Sequence, residues 1–352
     1  MATKRQKLSF VDLPDEIILK IFTFLDIREI LKCGQVSQRI RAISNDESLW
    51  LQLNFFEGHV PYGLLEKAAQ NGCRYLSLAF ACLVGVENLA MPLNLKYLDI
   101  SQYPGNPFES GTLEVTQGLL KNCLSLEKLA MQNLGLESEA TNHIGKNGQT
   151  LKVLDLSGVL PRGGFLNPTE AIKNLFKSCV ELIELNFSNT WFNQGFYESE
   201  IFTALVYNLT PKIMKVDFSS NLNLKDRHVL TLVERCKKIT ELDLSFTSIT
   251  NDCVDSIATH LNSSLEKLDV SHTKIDSTAL LELKSVGTLK VLRCSVKNIK
   301  KRRNLRKNLP QVIINKDEYL SSIATSTSDT VDYENGFWEI KAKAQFADLN
   351  CS

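Results

Sequence analysis

One seven-residue pattern recurs along the chain and constrains its fold more than any other feature. In residues 151–157 the first, fourth and sixth positions are apolar, whereas the fifth and seventh are polar. Close or looser copies start at Leu95, Leu126, Leu151, Leu182, Ile213, Ile239, Leu265, Leu289 and Leu309. This alternation is typical of a short strand with one buried face. Such a strand cannot bury its apolar face alone, so the repetition predicts that successive copies stack.

The copies follow one another at spacings of 20 to 31 residues, and their L-x-x-L-x-L order is that of a leucine-rich repeat. Helical stretches separate the strands; in residues 226–236, for example, Val229, Leu232 and Val233 mark one helical face. The predicted fold class is therefore α/β. We expect about ten repeats, curved into a solenoid with parallel strands on the concave side and helices on the convex side.

Composition narrows the classes of partner. The 352 residues include 40 Lys and Arg and 40 Asp and Glu, so no net charge favours a nucleic-acid partner. No apolar run reaches the length of a signal-peptide core or a membrane span, so we expect neither secretion nor membrane insertion. Cys123, Cys179 and Cys236 each precede a repeat start by three residues, which favours reduced, buried thiols over metal or disulfide roles. No cofactor is expected.

Residues 9–53 do not follow the repeat. Asp12 is expected to cap a first helix, Asp26 a second and Ser37 a third. The segment is too short to bury its many apolar side chains by itself. It therefore either caps the end of the solenoid or binds a partner.

The same segment resembles an F-box. The resemblance rests on a Leu-Pro-x-Glu start at Leu13, a helical apolar series and a Leu-Trp end at Trp50, with Gly34 and Gln35 as mild departures. F-box helices dock on the adaptor subunit of an SCF ubiquitin ligase, which links them to a cullin and a RING subunit. The resemblance implies adaptor binding through Leu13, Pro14, Glu16, Ile17, Ile21, Phe22, Leu25, Leu31, Val36 and Trp50.

The fifth position of each strand lies between two buried positions and is expected to face the concave side. Along the repeats it reads Asp99, Ala130, Asp155, Asn186, Asp217, Asp243, Asp269 and Arg293. Neighbouring strands lie about 4.8 Å apart, so the last three aspartates should form a row of like charge. Lys215, Glu241 and Lys267, two residues earlier, partly compensate it. The row is either a solvated polar face or an acidic strip for a cationic partner or for the chain's own tail.

Three of the spacings between repeats are long. Their extra residues combine turn-forming and aromatic side chains at 104–108, 161–165 and 191–197. If the repeats stack, these loops project from one rim of the solenoid. They either bind a partner there or fold over the solenoid's edge.

The C-terminal part of the chain changes composition twice. Residues 297–307 are basic, which indicates a solvated helix, a nuclear-import signal or, third, a nucleic-acid contact. Residues 316–336 are rich in Ser and Thr and are expected to be a flexible connector. Residues 338–346 alternate as a strand does. If this tail folds back across the concave face, Lys341 and Lys343 could meet the acidic row.

Residues 309–327 and 337–346 resemble the end of the S-phase kinase-associated family of F-box and leucine-rich-repeat proteins. In that family the tail runs along the concave face. The family recruits phosphorylated cyclin-dependent kinase inhibitors, with a small Cks accessory protein, for polyubiquitination. The concave row and the tail together predict the residues that contact a substrate or accessory protein: Asp217, Asp243, Asp269, Arg293, Trp338, Lys341 and Lys343.

The expected organisation is a polar terminus (1–8), the F-box (9–53), a linker helix (54–72), the repeats (73–315) and the tail (316–352). The sequence contains none of the common catalytic motifs, which favours a non-catalytic chain. The family resemblance implies a receptor subunit of an SCF ubiquitin ligase that promotes degradation of cell-cycle regulators. We expect it in the nucleus and cytoplasm. The alternative is a repeat scaffold whose F-box does not engage the ligase.

Overall fold

The structure, a computed structural model, describes residues 10–55, 59–84, 92–102, 117–161, 167–190, 198–296 and 298–315. The predictions for the polar terminus, for most of the three rim loops and for the whole tail, including Trp338, Lys341 and Lys343, lie outside the described residues. Within them the chain folds into an N-terminal helical unit followed by a solenoid with a parallel sheet, as predicted.

Eleven short strands of the described chain form one parallel sheet. They are Gln52–Asn54, Tyr75–Ser77, Tyr97–Asp99, Lys128–Ala130, Val153–Asp155, Glu184–Asn186, Lys215–Asp217, Glu241–Asp243, Lys267–Val270, Val291–Cys294 and Ile313–Ile314. Strands from successive repeats are neighbours in chain order. Equivalent repeat positions pair with each other, as Leu242 does with Leu268. The repeat therefore acts as predicted, since each apolar fourth position is covered by its neighbours.

Helices occupy the connections between the strands. Across the described residues the helices are Asp15–Phe22, Ile27–Cys33, Gln38–Ser44, Glu47–Trp50, Tyr62–Gln70, 117–122, Ser138–Lys146, Pro168–Ser178, Glu198–Asn208, Asp226–Arg235, Val254–His260 and Ile299–Asn308. Short 3-10 helices lie at Phe10–Asp12, Asn251–Cys253 and Ala279–Ser285. Two small parallel strand pairs join His59–Pro61 with Cys82–Val84 and Gly135–Leu136 with Leu160–Pro161.

One apolar core runs from the N-terminal unit to the last strand. It includes Ile18 and Phe22 near the start and Ile314 at the end. The predicted helical face of Val229, Leu232 and Val233 is buried in it. The burial predicted for Cys123, Cys179 and Cys236 is confirmed, because each side chain is at most 1% exposed. All three thiols are free.

Two boundaries differ from the sequence-based expectation. Strand Gln52–Asn54 already pairs with Tyr75–Ser77, and helix Tyr62–Gln70 packs Leu64 and Leu65 into the core. The described residues of the predicted linker, 54–55 and 59–72, thus belong to the first repeat. The sequence did not predict this repeat, because strand Gln52–Asn54 carries one leucine instead of the full pattern.

The last repeat is also displaced. Ile313 pairs with Val291, which places the repeat start at residue 311 instead of the predicted Leu309. Leu309 ends the preceding helix, where its side chain is buried. The prediction is wrong here because a buried leucine at a helix end fits the spacing expected of the first leucine of a strand.

The N-terminal unit contains three helices of seven or eight residues and a fourth single turn, Glu47–Trp50. Asp26 and Glu29 form the predicted capping box, and Ser37 caps the third helix through the Ile40 N–H. The prediction for Asp12 is wrong. Asp12 lies in a 3-10 helix, and the first α-helix starts at Asp15 with Pro14 as its N-cap residue.

Candidate functional site

The first helix of the N-terminal unit, Asp15–Phe22, has apolar side chains on two faces. Ile18 and Phe22 are buried in the core. Ile17 and Ile21, also four residues apart, remain 46% and 37% exposed. A helix that packs only against its own core needs one apolar face. The second face is left uncovered by the described chain, which suits it to a partner.

Apolar side chains before and after the helix are also exposed. Phe24, three residues beyond Ile21, is 82% exposed, and Phe10 is 46% exposed. These and neighbouring residues are together called the exposed apolar face: Phe10, Leu13, Pro14, Ile17, Ile21 and Phe24. Sequence reasoning missed Phe10 and Phe24. For Phe24 the helical spacing from Ile21 was the available signal, and for Phe10 the sequence offered none.

The structure separates the predicted adaptor contacts into three groups. The exposed ones are Pro14, Glu16, Ile17, Ile21 and Val36. The half-buried ones are Leu13, Leu25 and Leu31. Phe22 and Trp50 are buried, at 1% and 0% exposure, so their prediction as direct contacts is corrected. Both hold the unit together from inside.

Trp50 shows what this interior role consists of. Its indole N–H donates to the Ser44 carbonyl oxygen at 2.8 Å. The ammonium group of Lys67, in the helix of the first repeat, lies 5.4 Å from the centre of the ring. The tryptophan therefore joins the N-terminal unit to the solenoid instead of meeting a partner.

Arg39 positions the start of the exposed apolar face. Its guanidinium donates to the Leu13 carbonyl oxygen at 2.6 Å and to Asp15 Oδ1 at 2.7 Å. These bonds tie the residues around Pro14 to the third helix. On the other side of the unit, Arg28 donates to the His59 carbonyl oxygen at 2.7 Å and so contacts the first repeat.

Gly34, one of the two departures from the F-box resemblance, fits its surroundings. It ends the second helix, is buried and lies beside Ser44. A Cβ atom at residue 34 would stand 2.5 Å from Ser44 Oγ. The small residue is therefore required by the close packing of the second and third helices.

The row at the fifth strand position forms as predicted, with Asp217 paired to Asp243 and Asp243 to Asp269. Its expected exposure is not found, because each of these three residues is only 6% exposed. Every carboxylate accepts a hydrogen bond from the backbone N–H two residues later, at 2.8–2.9 Å. Asn186 makes the same bond to Ser188. The Asp-x-Ser sequence is thus a turn that ends each strand.

Burial sets the charge state of this row. It raises the pKa of Asp217 to about 7, and nearby carboxylates add to the effect while Ser219 opposes it. Burial, followed by repulsion from Asp217 and Asp269, also raises the pKa of Asp243 well above its usual range. Two adjacent buried carboxylates do not both ionise readily. The row therefore carries less negative charge at neutral pH than its composition suggests.

The third strand positions carry a ladder of opposite charges. Lys215 Nζ lies 3.1 Å from Glu184 and 3.9 Å from Glu241, and Lys267 lies 3.2 Å from Glu241. These ion pairs join third-position residues to one another, and their compensation of the aspartate row stays a prediction. At the end of the row, the Arg293 guanidinium approaches Asp269 at 3.8 Å and stays partly exposed. Arg293 is the predicted contact residue of this row that best reaches solvent.

Just past the strand ends, a left-handed residue recurs in nearly every repeat. Phe246 and His272 occupy this position with φ of 54° and 56°, which is unfavourable for bulky side chains. Their rings stack at 4.1 Å with an interplanar angle of 13°, and Phe246 is exposed. Sequence reasoning missed this aromatic pair, because both residues lie just beyond the seven-residue pattern on which that reasoning relied.

Comparison with known protein families identifies both parts of this architecture. A model described as the SKP2 LRR domain matches residues 63–345, and an F-box-like model matches residues 10–55. The first match covers more than half of the chain. The chain belongs to the SKP2 family of leucine-rich-repeat proteins. Its N-terminal unit is F-box-like, and the predicted combination of F-box and repeats is confirmed.

Curated relatives share the F-box-like part. The human F-box/WD repeat-containing protein 8 is 43% identical over 51 residues, which are 14% of this chain and 8% of that protein. The F-box protein dre-1 of Caenorhabditis elegans is 39% identical over 51 residues, 14% of this chain and 5% of that protein. This chain thus spans less than a tenth of the length of these relatives.

Among solved structures, an internalin from Listeria monocytogenes superposes with a TM-score of 0.44 at 14% identity, over 70% of this chain and 68% of that one. The repeat protein LegL7 from Legionella pneumophila superposes with a TM-score of 0.37 at 13% identity, over 72% and 78% of the two chains.

Burial affects the reactivity of the thiols in this SKP2-type chain. Burial raises the pKa of the Cys123 and Cys179 thiols to about 12, so both are protonated at neutral pH. Among the residues that the structure describes, no cluster of His, Cys, Asp and Glu could hold a metal ion. In the same part of the chain, no helix has the length and apolar composition needed to cross a membrane.

Proposed function

We propose that this chain is the substrate-receptor subunit of an SCF-type ubiquitin ligase. The observation that carries the proposal is the exposed apolar face on an F-box-like unit, at the opposite end of the chain from the row at the last repeats. One end would hold the adaptor, and through it a cullin and a RING subunit. The other would hold a substrate. The chain acts by bringing a substrate lysine close to an enzyme bound elsewhere.

The recruiting surface is proposed to lie at the last repeats. Arg293 and the partly exposed Lys215 and Lys267 offer cations to a phosphorylated segment, and the Phe246–His272 pair past the strand ends offers an aromatic platform. Asp217, Asp243 and Asp269 would shape this surface through their turns. The family membership makes phosphorylated cyclin-dependent kinase inhibitors, with a Cks accessory protein, the proposed substrates, and the nucleus and cytoplasm the proposed location.

A reconstituted ligase tests the proposal. Adaptor, cullin, RING subunit and this chain are mixed with a phosphorylated kinase inhibitor, with and without the accessory protein, and ubiquitin transfer is followed. We expect transfer to require this chain and the substrate phosphate. Arg293→Glu should reduce transfer about tenfold or more without changing assembly with the adaptor.

Two failures have different meanings. Normal assembly without transfer to this inhibitor would remove the substrate class and leave the ligase role intact. Failure to assemble with the adaptor would remove the ligase role and favour the alternative, a leucine-rich-repeat scaffold that works outside the ligase.

A further inference from the structure

The last helix of the solenoid, Ile299–Asn308, carries an unusual concentration of positive charge. Six of its ten residues are basic and none is acidic: Lys300, Lys301, Arg302, Arg303, Arg306 and Lys307. The structure confirms the predicted helix. Five of the six are exposed, whereas Arg302 is half-buried and donates to the Val296 carbonyl oxygen. The helix therefore presents a basic surface of five side chains to solvent.

This arrangement opposes the stability of the helix. Lys300 and Lys301 lie in the first turn, where the helix dipole disfavours positive charge. Lys300, Arg303 and Lys307 follow one another at spacings of three and four residues, where like charges repel. An isolated helix would gain from acidic residues at these places. A helix that keeps these mutually repelling charges despite their cost is consistent with a binding role for its basic surface.

Nothing in the described part of the chain neutralises this surface. Several lysines of the other repeats have carboxylate partners, as Lys152 has Glu127 and Lys290 has Glu266, both at 2.8 Å. No ion pair joins the five exposed basic residues of the last helix to a carboxylate of the described residues. The basic surface thus differs from these lysines, because no carboxylate of the described residues pairs with its charges.

The sequence just after the solenoid has the complementary charge. Residues 317–334 contain five carboxylates and no basic residue: Asp317, Glu318, Asp329, Asp332 and Glu334. The described chain ends at Asn315, one residue beyond Ile314, whose carbonyl oxygen accepts a hydrogen bond from Arg306 at 3.3 Å. The acidic segment therefore begins two residues after Asn315, the last described residue. Its 18 residues can span up to about 60 Å, against about 15 Å for the helix.

We propose that the acidic segment 317–334 of this same chain binds across the exposed basic surface of helix Ile299–Asn308. The short tether keeps the segment at a high effective concentration, so weak contacts suffice. Because the charges meet at the surface, salt weakens the contact, the Debye length being about 10 Å at 0.1 M. The contact would hold the start of the tail at the last repeat.

Other occupants fit this helix less well. It has no aromatic side chain on which the bases of a single-stranded nucleic acid could stack. It also lacks the broad apolar face of a membrane-surface helix, since Leu305 is buried and only Ile299 is exposed. A tethered acidic peptide needs neither feature.

Carbodiimide cross-linking of the full chain tests the contact directly, because this reagent joins lysine amines to adjacent carboxylates. At low salt we expect cross-links from Lys300, Lys301 or Lys307 to carboxylates of 317–334, and at least a fivefold loss of them at 0.5 M salt. Cross-links from these lysines only to other carboxylates, or none at all, would overturn the proposal.

Proteolysis supplies a second readout. In the variant Lys300→Gln/Arg303→Gln/Lys307→Gln, cleavage after Glu318 and Glu334 should be about five to ten times faster than in the wild-type chain at low salt. The matched control Lys173→Gln/Lys177→Gln removes exposed lysines from helix Pro168–Ser178 and should change nothing. A thermal melt checks that each variant is folded. Equal cleavage of all three chains contradicts the contact. So does binding of an oligonucleotide or anionic vesicles that needs these basic residues while cleavage stays unchanged.

Discussion

At the scale of the residue, the aspartate in the fifth strand position explains how the strands of this solenoid end. Asp217, Asp243 and Asp269 each turn their carboxylate back to a serine N–H and so end a strand in the same way. Asn186 does this without a charge. The hydrogen bond is thus the common requirement, and burial of the carboxylate is an additional cost at Asp217 and Asp243.

Asp243→Asn should therefore stabilise the protein above neutral pH. Because burial raises the pKa of Asp243 in the folded chain, the folded state binds a proton that the unfolded state releases, and stability falls as pH rises from about 4 through the folded pKa. The asparagine does not ionise, so it removes this loss of stability at high pH. We expect a gain on the order of 1–3 kcal/mol at pH 8 that is smaller at pH 5 and disappears below about pH 4, measured by chemical unfolding.

The control for this prediction is Asp255→Asn, which removes an exposed carboxylate from helix Val254–His260. It should change stability by less than about 0.5 kcal/mol at either pH. Equal effects of the two substitutions, or a loss of stability for Asp243→Asn at pH 8, would show that the carboxylate is not a burden in its site.

A second residue-scale prediction concerns the left-handed position after the strand. Gly158 occupies it with φ of +66°, and a Cβ atom there would overlap the Asn133 side-chain amide. Gly158→Ala should cost about 2 kcal/mol or more in thermal or chemical unfolding. Gly63→Ala, within helix Tyr62–Gln70 and with no atom near the new methyl group, should be neutral or stabilising. Similar losses for both would contradict this account.

The register of the aspartate row could be predicted from the sequence, because a pattern that repeats with its leucines must align equivalent positions. The burial of Asp217 and Asp243 could not, since it depends on the depth at which neighbouring strands and turns pack. The recurring Asp-x-Ser order was nevertheless a signal for the turn. The turn can be recognised only once the hydrogen bond from the backbone N–H to the carboxylate is seen in the structure.

At the scale of the element, helix Asp15–Phe22 combines an interior and a docking role. Its two apolar faces could be read from the spacing of Ile17, Ile18, Ile21 and Phe22. Which face is the outer one could not, because that depends on how the third helix packs. The partner-contacting set therefore loses Phe22 and gains Phe24.

Arg39→Ala should weaken adaptor binding without unfolding the protein. The substitution frees Leu13 and Asp15 from the third helix, so the start of the exposed apolar face loses its fixed position. We expect about a three- to tenfold loss of affinity and, because this ion pair is exposed, less than about 1 kcal/mol of stability. Arg28→Ala, which breaks a bond to His59 on the solenoid side, should leave affinity unchanged. The reverse order of effects would exclude this role of Arg39.

At the scale of the whole molecule, the F-box-like unit and the solenoid share one core. Trp50 meets Lys67 of the first repeat, and strand Gln52–Asn54 starts the sheet only two residues after that tryptophan. The sequence suggested a linker between two units because the first repeat lacks the full leucine pattern. The structure shows a continuous packed junction between the unit and the first repeat, which would suit the proposed receptor.

This shared core predicts that the N-terminal unit does not fold when it is cut out. A peptide of residues 10–55 loses the cover that the first repeat provides and is near the lower size limit for a stable core. Its circular dichroism should be that of a largely unfolded chain, while residues 10–315 should retain the helical signal. A cooperative thermal transition in the short peptide would contradict the shared core.

The central claim, that the exposed apolar face binds the SCF adaptor, is tested most directly by calorimetric titration of the purified adaptor into the full chain. The account predicts saturable one-to-one binding, weakened at least tenfold by Ile17→Ala/Phe24→Ala. The control Tyr207→Ala/Leu222→Ala removes equally exposed apolar side chains from the solenoid and should bind as the wild type does. Absence of binding by the wild-type chain, or equal weakening by both double variants, would contradict the account.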